Sequence, residues 1–168
     1  MLRYRLAAAY ACGALRAEDC WAIAYHRGRL SDTITTRAPD LNGSMISVGL
    51  SAEKVVPYLD KLSAQDREQV VVACVNSPSN VTLSGASSIL QQLELVFRFD
   101  KVFARTLKVE VAYHSPHMRV IAEDYLDAIK DIRPISSENG IVMASSVTGS
   151  AISPGDLTAD YCESTTAT

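Results

Sequence analysis

His114 stands in the stretch VAYHSPHM, where a strand-like run gives way to a helix that opens on Ser115 and Pro116. The first-turn amides and the positive end of that helix disfavour extra positive charge, so the imidazole is expected neutral near pH 7, the form a general base requires. Three readings of His114 stand open: a base for a nucleophile that spacing cannot place, a packing or capping imidazole, and a metal ligand. His117 makes an HxxH spacing with it. No Glu lies between them as in HExxH and no third ligand is near in sequence, so no metal is assigned. His117 itself is expected at the surface or between domains.

Arg27, followed by Gly28, falls near the end of a predicted helix beside a possible cleft. A guanidinium grips a carboxylate through two parallel hydrogen bonds, a geometry that lysine does not reproduce. A solvated helix-ending arginine explains the same residue. Arg98, Lys101, Arg105 and Lys108 form a modest basic run, either solvated or facing an acidic partner. Gly49, Gly85 and Gly149 lack the context of a phosphate loop and read as turn residues. Cys12, Cys20, Cys74 and Cys162 form no CxxC pair and no regular framework, which fits a reducing, cytoplasmic compartment.

Residues 5 to 30 read as helical with a break near Gly13; a second helix starts near Ala17, carries Glu18 and Asp19 in its first turn and ends around Gly28. Trp21, Ala24 and Tyr25 have the spacing of a buried stripe. Residues 31 to 44 are polar and turn-rich, a linker. From Met45 the order is strand (MISVGL), helix capped by Ser51, strand (VVVACV), turn (NSPSN), strand (VTLSG), helix with Ile89, Leu93 and Val96 on one side, and strand, at least from Leu107 to Tyr113. That order is the ferredoxin-like, split βαβ arrangement. A helix follows with Met118, Ile121, Ala122, Tyr125 and Ile129 on its apolar side, then a Ser- and Thr-rich stretch in which VMASSVTG is strand-like and CESTTAT is frayed.

The chain has 168 residues, of which 48% are hydrophobic and 7% aromatic, enough for a core. A net charge of -3 without a concentrated positive field argues against nonspecific nucleic-acid or anionic-membrane binding. No run approaches the roughly 20 apolar residues of a membrane span. The segments flanking the small unit each need an apolar surface to pack on, since one amphipathic helix is marginal alone. The expected class is α/β, a larger domain interrupted by a ferredoxin-like α+β small one. Residues 1–44 are a helical remnant of the large domain with a linker, 45–113 the small domain, and 114–168 the return to the large domain with an irregular tail.

The stretches LAAAYACGAL, AYHRGR, MISVGLS, VVVACVNSPSNVTLSG, VFARTLKVEVAYHSPHM and SSVTG together resemble the acyltransferase domain of fungal iterative type I polyketide synthases, related to malonyl-CoA:acyl-carrier-protein transacylases. The resemblance covers roughly residues 5 to 150. It implies an α/β-hydrolase-like large domain carrying the small one, with the acyl cleft between them. It further implies that His114 is the catalytic histidine, that Arg27 binds the malonyl carboxylate, that Asn76 lies near the cleft, and that Tyr113 is the bulky aromatic accompanying malonyl rather than methylmalonyl preference. No cofactor is implied; malonyl-CoA is the substrate, phosphopantetheine arrives on an acyl carrier protein, and that protein and adjacent synthase domains are the partners. The family's GHSxGE nucleophile elbow precedes its IAAAYAAGAL-type helix. Counting back from Leu6 places Leu2 at the serine position, Tyr4 at the second glycine and Arg5 at the acid. The implied domain is therefore truncated at both ends, and the isolated chain is expected to be catalytically inactive and only partly folded. A noncatalytic module, docking a carrier protein through the ferredoxin-like unit or the face from Arg98 to Lys108, is the alternative.

Overall fold

A computed structural model describes residues 2–109, 111–135, 140–145, 148–159 and 161. These divide into two compact units: Asp32–Val120 forms one, and the residues up to Ser31 with those from Ile121 onward form the other.

In the unit from Asp32 to Val120, β1 (Gly43–Val48), α4 (Ala52–Leu59), β2 (Val70–Ser77), β3 (Asn80–Ala86), α6 (Ser87–Phe99) and β4 (Ala104–Thr106) follow in order, with one single-turn helix, α3 (Ile34–Arg37), before β1 and another, α5 (Ala64–Arg67), between α4 and β2. The sheet is antiparallel in the order β2-β3-β1-β4, which is the ferredoxin-like arrangement. Alternation decides which face meets the helices. Ile46 pairs with Leu83 and Val48 with Val81, and all four join Val55 and Leu59 of α4 and Ile89, Leu90, Leu93 and Phe97 of α6 in one core. Ser47 and Thr82, opposite each other in the register, point to the other face. Ser51 caps α4 as expected, its Oγ accepting from the Lys54 N–H at 3.2 Å.

Two glycines are required by close approach. A Cβ on Gly85 would land on the Gln69 carbonyl oxygen, and one on Gly43 would lie 2.5 Å from the Ala112 nitrogen. The chain leading to His114 thus lies directly against the start of β1.

The other unit contains α1 (Leu2–Ala11), α2 (Ala17–Ser31), α7 (Ala122–Ile129) and the antiparallel hairpin β5 (Met143–Ala144) to β6 (Ala151–Ile152). Here α2 packs on α7, and the Ile135 N–H donates to the Ala14 carbonyl at 2.8 Å. The helix break falls at Gly13, whose φ of 74° suits a residue without Cβ.

Three expectations change. Trp21 and Tyr25 are 69% and 64% exposed, so the inward side of α2 is instead marked by Ile23 and Leu30. Periodicity fixed the spacing of the stripe but not which stripe faces in. Residues 107 to 109 and 111 to 113 are not strand: β4 stops at Thr106, and the Val109 and Tyr113 N–H groups bond carbonyls two residues back, at Leu107 and Val111. The helix after Ser115 begins as a 3-10 segment, Pro116–Ile121, before α7. CESTTAT, residues 162 to 168, lies outside the described residues.

Candidate functional site

His114 has φ of 63°, a left-handed backbone conformation that side-chain-bearing residues rarely adopt. The turn that imposes it is closed by a buried hydroxyl. Ser115 is 0% exposed; its Oγ donates to the Ala112 carbonyl at 2.7 Å and accepts from the His117 N–H at 3.2 Å. The Ser115 N–H also reaches the Ala112 carbonyl at 3.3 Å, and the Met118 N–H bonds the Ser115 carbonyl at 3.1 Å. Ala112, fully buried, occupies the space above Gly43. Gly43 and Ser115 therefore hold the backbone of His114 from its two sides, while the His114 side chain remains half-buried. Strain of this kind persists only where surroundings over-determine it, and functional sites are where it clusters.

Tyr113, next to His114, is half-buried and lines a cavity of about 400 Å³ with Asp32, Thr35, Val109 and Val111. Asn76 lies in β2 within a polar group on the sheet. Its Nδ2 donates to Asn80 Oδ1 at 2.7 Å and to Thr82 Oγ1 at 2.9 Å, and Asn80 Nδ2 donates to Ser47 Oγ at 3.2 Å. Both Asn76 amide hydrogens are thereby engaged, which leaves its carbonyl oxygen as the acceptor available to a ligand. His114, Tyr113 and Asn76 belong to one compact unit; Arg27 is on α2 in the other, half-buried and with a polar partner. Leu2 opens α1, so residues 2 to 11 are continuous helix.

His117 is buried, 5% exposed, which overturns the surface alternative of its expectation. Its Nδ1 has no hydrogen-bond partner among the described residues, and burial pushes its imidazole below the ordinary histidine range. No group of three or more His, Cys, Asp or Glu side chains among the described residues is placed to hold a metal ion. Gly43 and Ser115 went unassigned as supports of His114. The signal available was the small residue type of each, and the contact that matters crosses from residue 43 to residue 112.

A family model of the acyl transferase domain matches residues 5–167. The chain belongs to the acyl transferase domain family. A highly reducing polyketide synthase of Cryptosporiopsis sp. is 48% identical over 157 residues, 93% of this chain, and a partially reducing polyketide synthase of Talaromyces stipitatus is 47% identical over 158 residues, also 93% of this chain. The chain spans 6% of the length of each of these two relatives. Among solved structures, the acyltransferase domain from module 8 of the salinomycin polyketide synthase matches with a TM-score of 0.80 and 28% identity, over 96% of this chain and 36% of that one. The acyl transferase domain fold is mixed α/β with a smaller ferredoxin-like subdomain, the arrangement to which β1 to β4 with α4 and α6 correspond. No helix among the described residues of this chain is long and apolar enough to cross a membrane.

Proposed function

We propose that the domain to which this chain belongs moves a malonyl group from coenzyme A to the phosphopantetheine thiol of an acyl carrier protein, in the cytoplasm and alongside other synthase domains. The observation that carries this reading is His114, a titratable side chain on a left-handed backbone that Ser115 and Gly43 lock in place. In the first half-reaction His114 takes the proton of a serine hydroxyl as that oxygen attacks the thioester carbonyl. The tetrahedral oxyanion collapses, the carbon–sulfur bond breaks, and the proton on His114 passes to the departing CoA thiolate. The second half-reaction reverses these roles: His114 takes the carrier thiol's proton, sulfur attacks the ester, and the proton returns to the serine oxygen.

Arg27 supplies the two parallel donors that fit the free carboxylate of malonyl. Tyr113 narrows the space beside His114 against a branched acyl group, and Asn76 offers its free acceptor near the acyl site. Residue 2 is Leu, without a hydroxyl for His114 to activate, so the 168-residue chain by itself forms no malonyl ester at that position.

Binding is tested apart from acylation. Titrating the chain with malonyl-CoA and acetyl-CoA should show tighter association of the malonyl thioester, and Arg27→Ala should remove the difference. Equal affinities with Arg27 intact would overturn the carboxylate-clamp reading. Intact-mass measurement after incubation with malonyl-CoA should show no ester; a stable His114-dependent adduct would show that another hydroxyl of the chain is the nucleophile.

A further inference from the structure

A cavity of about 1110 Å³ opens at the end of the sheet remote from the β2–β3 turn, among the start of α6, the start of β1 and the chain that follows β4. It lies within the unit from Asp32 to Val120, and Asn76, Tyr113 and His114 do not line it. Helix α6 begins at this cavity without a side-chain cap, because its N-cap position is Ala86. The Ala86 N–H is taken by the Gln69 carbonyl at 3.3 Å and the Ser87 N–H by the Asn42 carbonyl at 2.8 Å. The next two N–H groups, of Ser88 and Ile89, belong to the first turn and have no intrahelical carbonyl to bond. Aligned peptide dipoles place about half a positive charge at the same end.

The wall opposite α6 gives a second, independent sign of a ligand. Ser44 lines the cavity and is 7% exposed, and its hydroxyl has no hydrogen-bond partner among the described residues. Alternation puts it on the same face of β1 as Ile46 and Val48; those two meet the apolar core, whereas Ser44 meets the cavity. A buried hydroxyl left unpaired is costly, and an apolar residue would serve the strand better, so the fold alone does not account for a serine there. Lys108 stands on the same wall without an ion pair among the described residues. Ser87 and Gln91, one helical turn apart on α6, add a hydroxyl and an amide. Together these donors match the three terminal oxygens of a phosphate better than the two of a carboxylate. The volume exceeds what a free anion fills, since sites of about 300–1,000 Å³ hold whole small molecules. Asp40, also on the wall, repels a bare anion but accepts from a hydroxyl that the same molecule carries.

We propose that this cavity binds a small phosphate monoester that also carries hydroxyl groups, of the sugar phosphate class. Its phosphate sits at the start of α6, held by the Ser88 and Ile89 N–H groups, the Ser44 hydroxyl and Lys108, and Asp40 accepts from a ligand hydroxyl. The proposal is independent of the acyl-transfer reading, whose residues Arg27, Asn76, Tyr113 and His114 lie outside the cavity wall.

The test titrates the 168-residue chain with glucose 6-phosphate, inorganic phosphate and glucose, read by calorimetry and by the amide signals of Ser88 and Ile89. Saturable binding of glucose 6-phosphate that shifts those two signals is expected, several-fold tighter than that of inorganic phosphate, with none of glucose. Lys108→Gln should weaken it several-fold and reduce its dependence on salt. Ser44→Ala should weaken it while leaving the melting temperature of the free chain unchanged or raised, because the substitution removes a hydroxyl that the fold leaves unpaired. Asp40→Ala should bring glucose 6-phosphate down to the affinity of inorganic phosphate. Undiminished binding by Ser44→Ala and Lys108→Gln would overturn the proposal, as would the absence of any saturable shift at Ser88 and Ile89. Equal binding of inorganic phosphate and the sugar phosphate would mark an unselective anion site, and displacement by malonyl-CoA would give the cavity to the acyl donor; either result also overturns it.

Discussion

The imidazole of His117 is buried neutral with one nitrogen unpartnered, so protonating it in the folded state is unfavourable. The unfolded chain titrates near the ordinary value of 6.5 and the folded chain below it. In that window the unfolded state binds more protons, so stability rises with pH and is lost as pH falls below about 6.5. Thermal unfolding followed across that window should show the melting temperature falling on acidification, and His117→Gln should flatten the slope. Ser115→Ala strips the buried His117 N–H of its partner and takes the shorter of two hydrogen bonds from the Ala112 carbonyl, which costs about 1–3 kcal/mol. Denaturant titration measures that loss. In the same variant the His114 ring resonances should shift while those of His26, in the other unit, stay in place; unchanged His114 signals would remove Ser115 from the support of the turn.

At the scale of the elements, alternation and capping made most of the ferredoxin-like unit legible. Ile46 and Val48 against Ser47, and Val81 and Leu83 against Thr82, mark which side of each strand joins the apolar core, and Ser51 announces the start of α4. Leu107, Val109 and Val111 alternate as strand residues do, yet the ladder with β1 ends at Thr106, followed by a single bond from the Leu107 N–H to the Met45 carbonyl. Ladder partners, not propensity, end a strand. Farther along, Ala112 lies against Gly43. Gly43→Ala should force that contact apart, costing about 1–3 kcal/mol as an overpacking change, and should broaden or shift the His114 signals; a variant with wild-type stability and spectra would show that the segment moves aside freely.

For the whole molecule, one apolar core accounts for the order of the small unit, and Phe97 at its centre is fully buried against both the sheet and Tyr58 of α4. Phe97→Ala should lower stability by about 3–5 kcal/mol and, in hydrogen exchange, reduce protection across β1 to β3 and α6. By itself the sequence determined the order of elements and the ferredoxin-like class, because periodicity and caps are local; it offered His114 and Arg27 as candidates by residue type and place, and Asn76 and Tyr113 through a family resemblance alone. Only the tertiary structure decided that Trp21 and Tyr25 face outward, that His117 is buried, and that Gly43 and Ser115 brace the turn at His114. Each of those depends on which surface another segment covers, and contacts between residues 43 and 112 leave no trace in the spacing of either stretch.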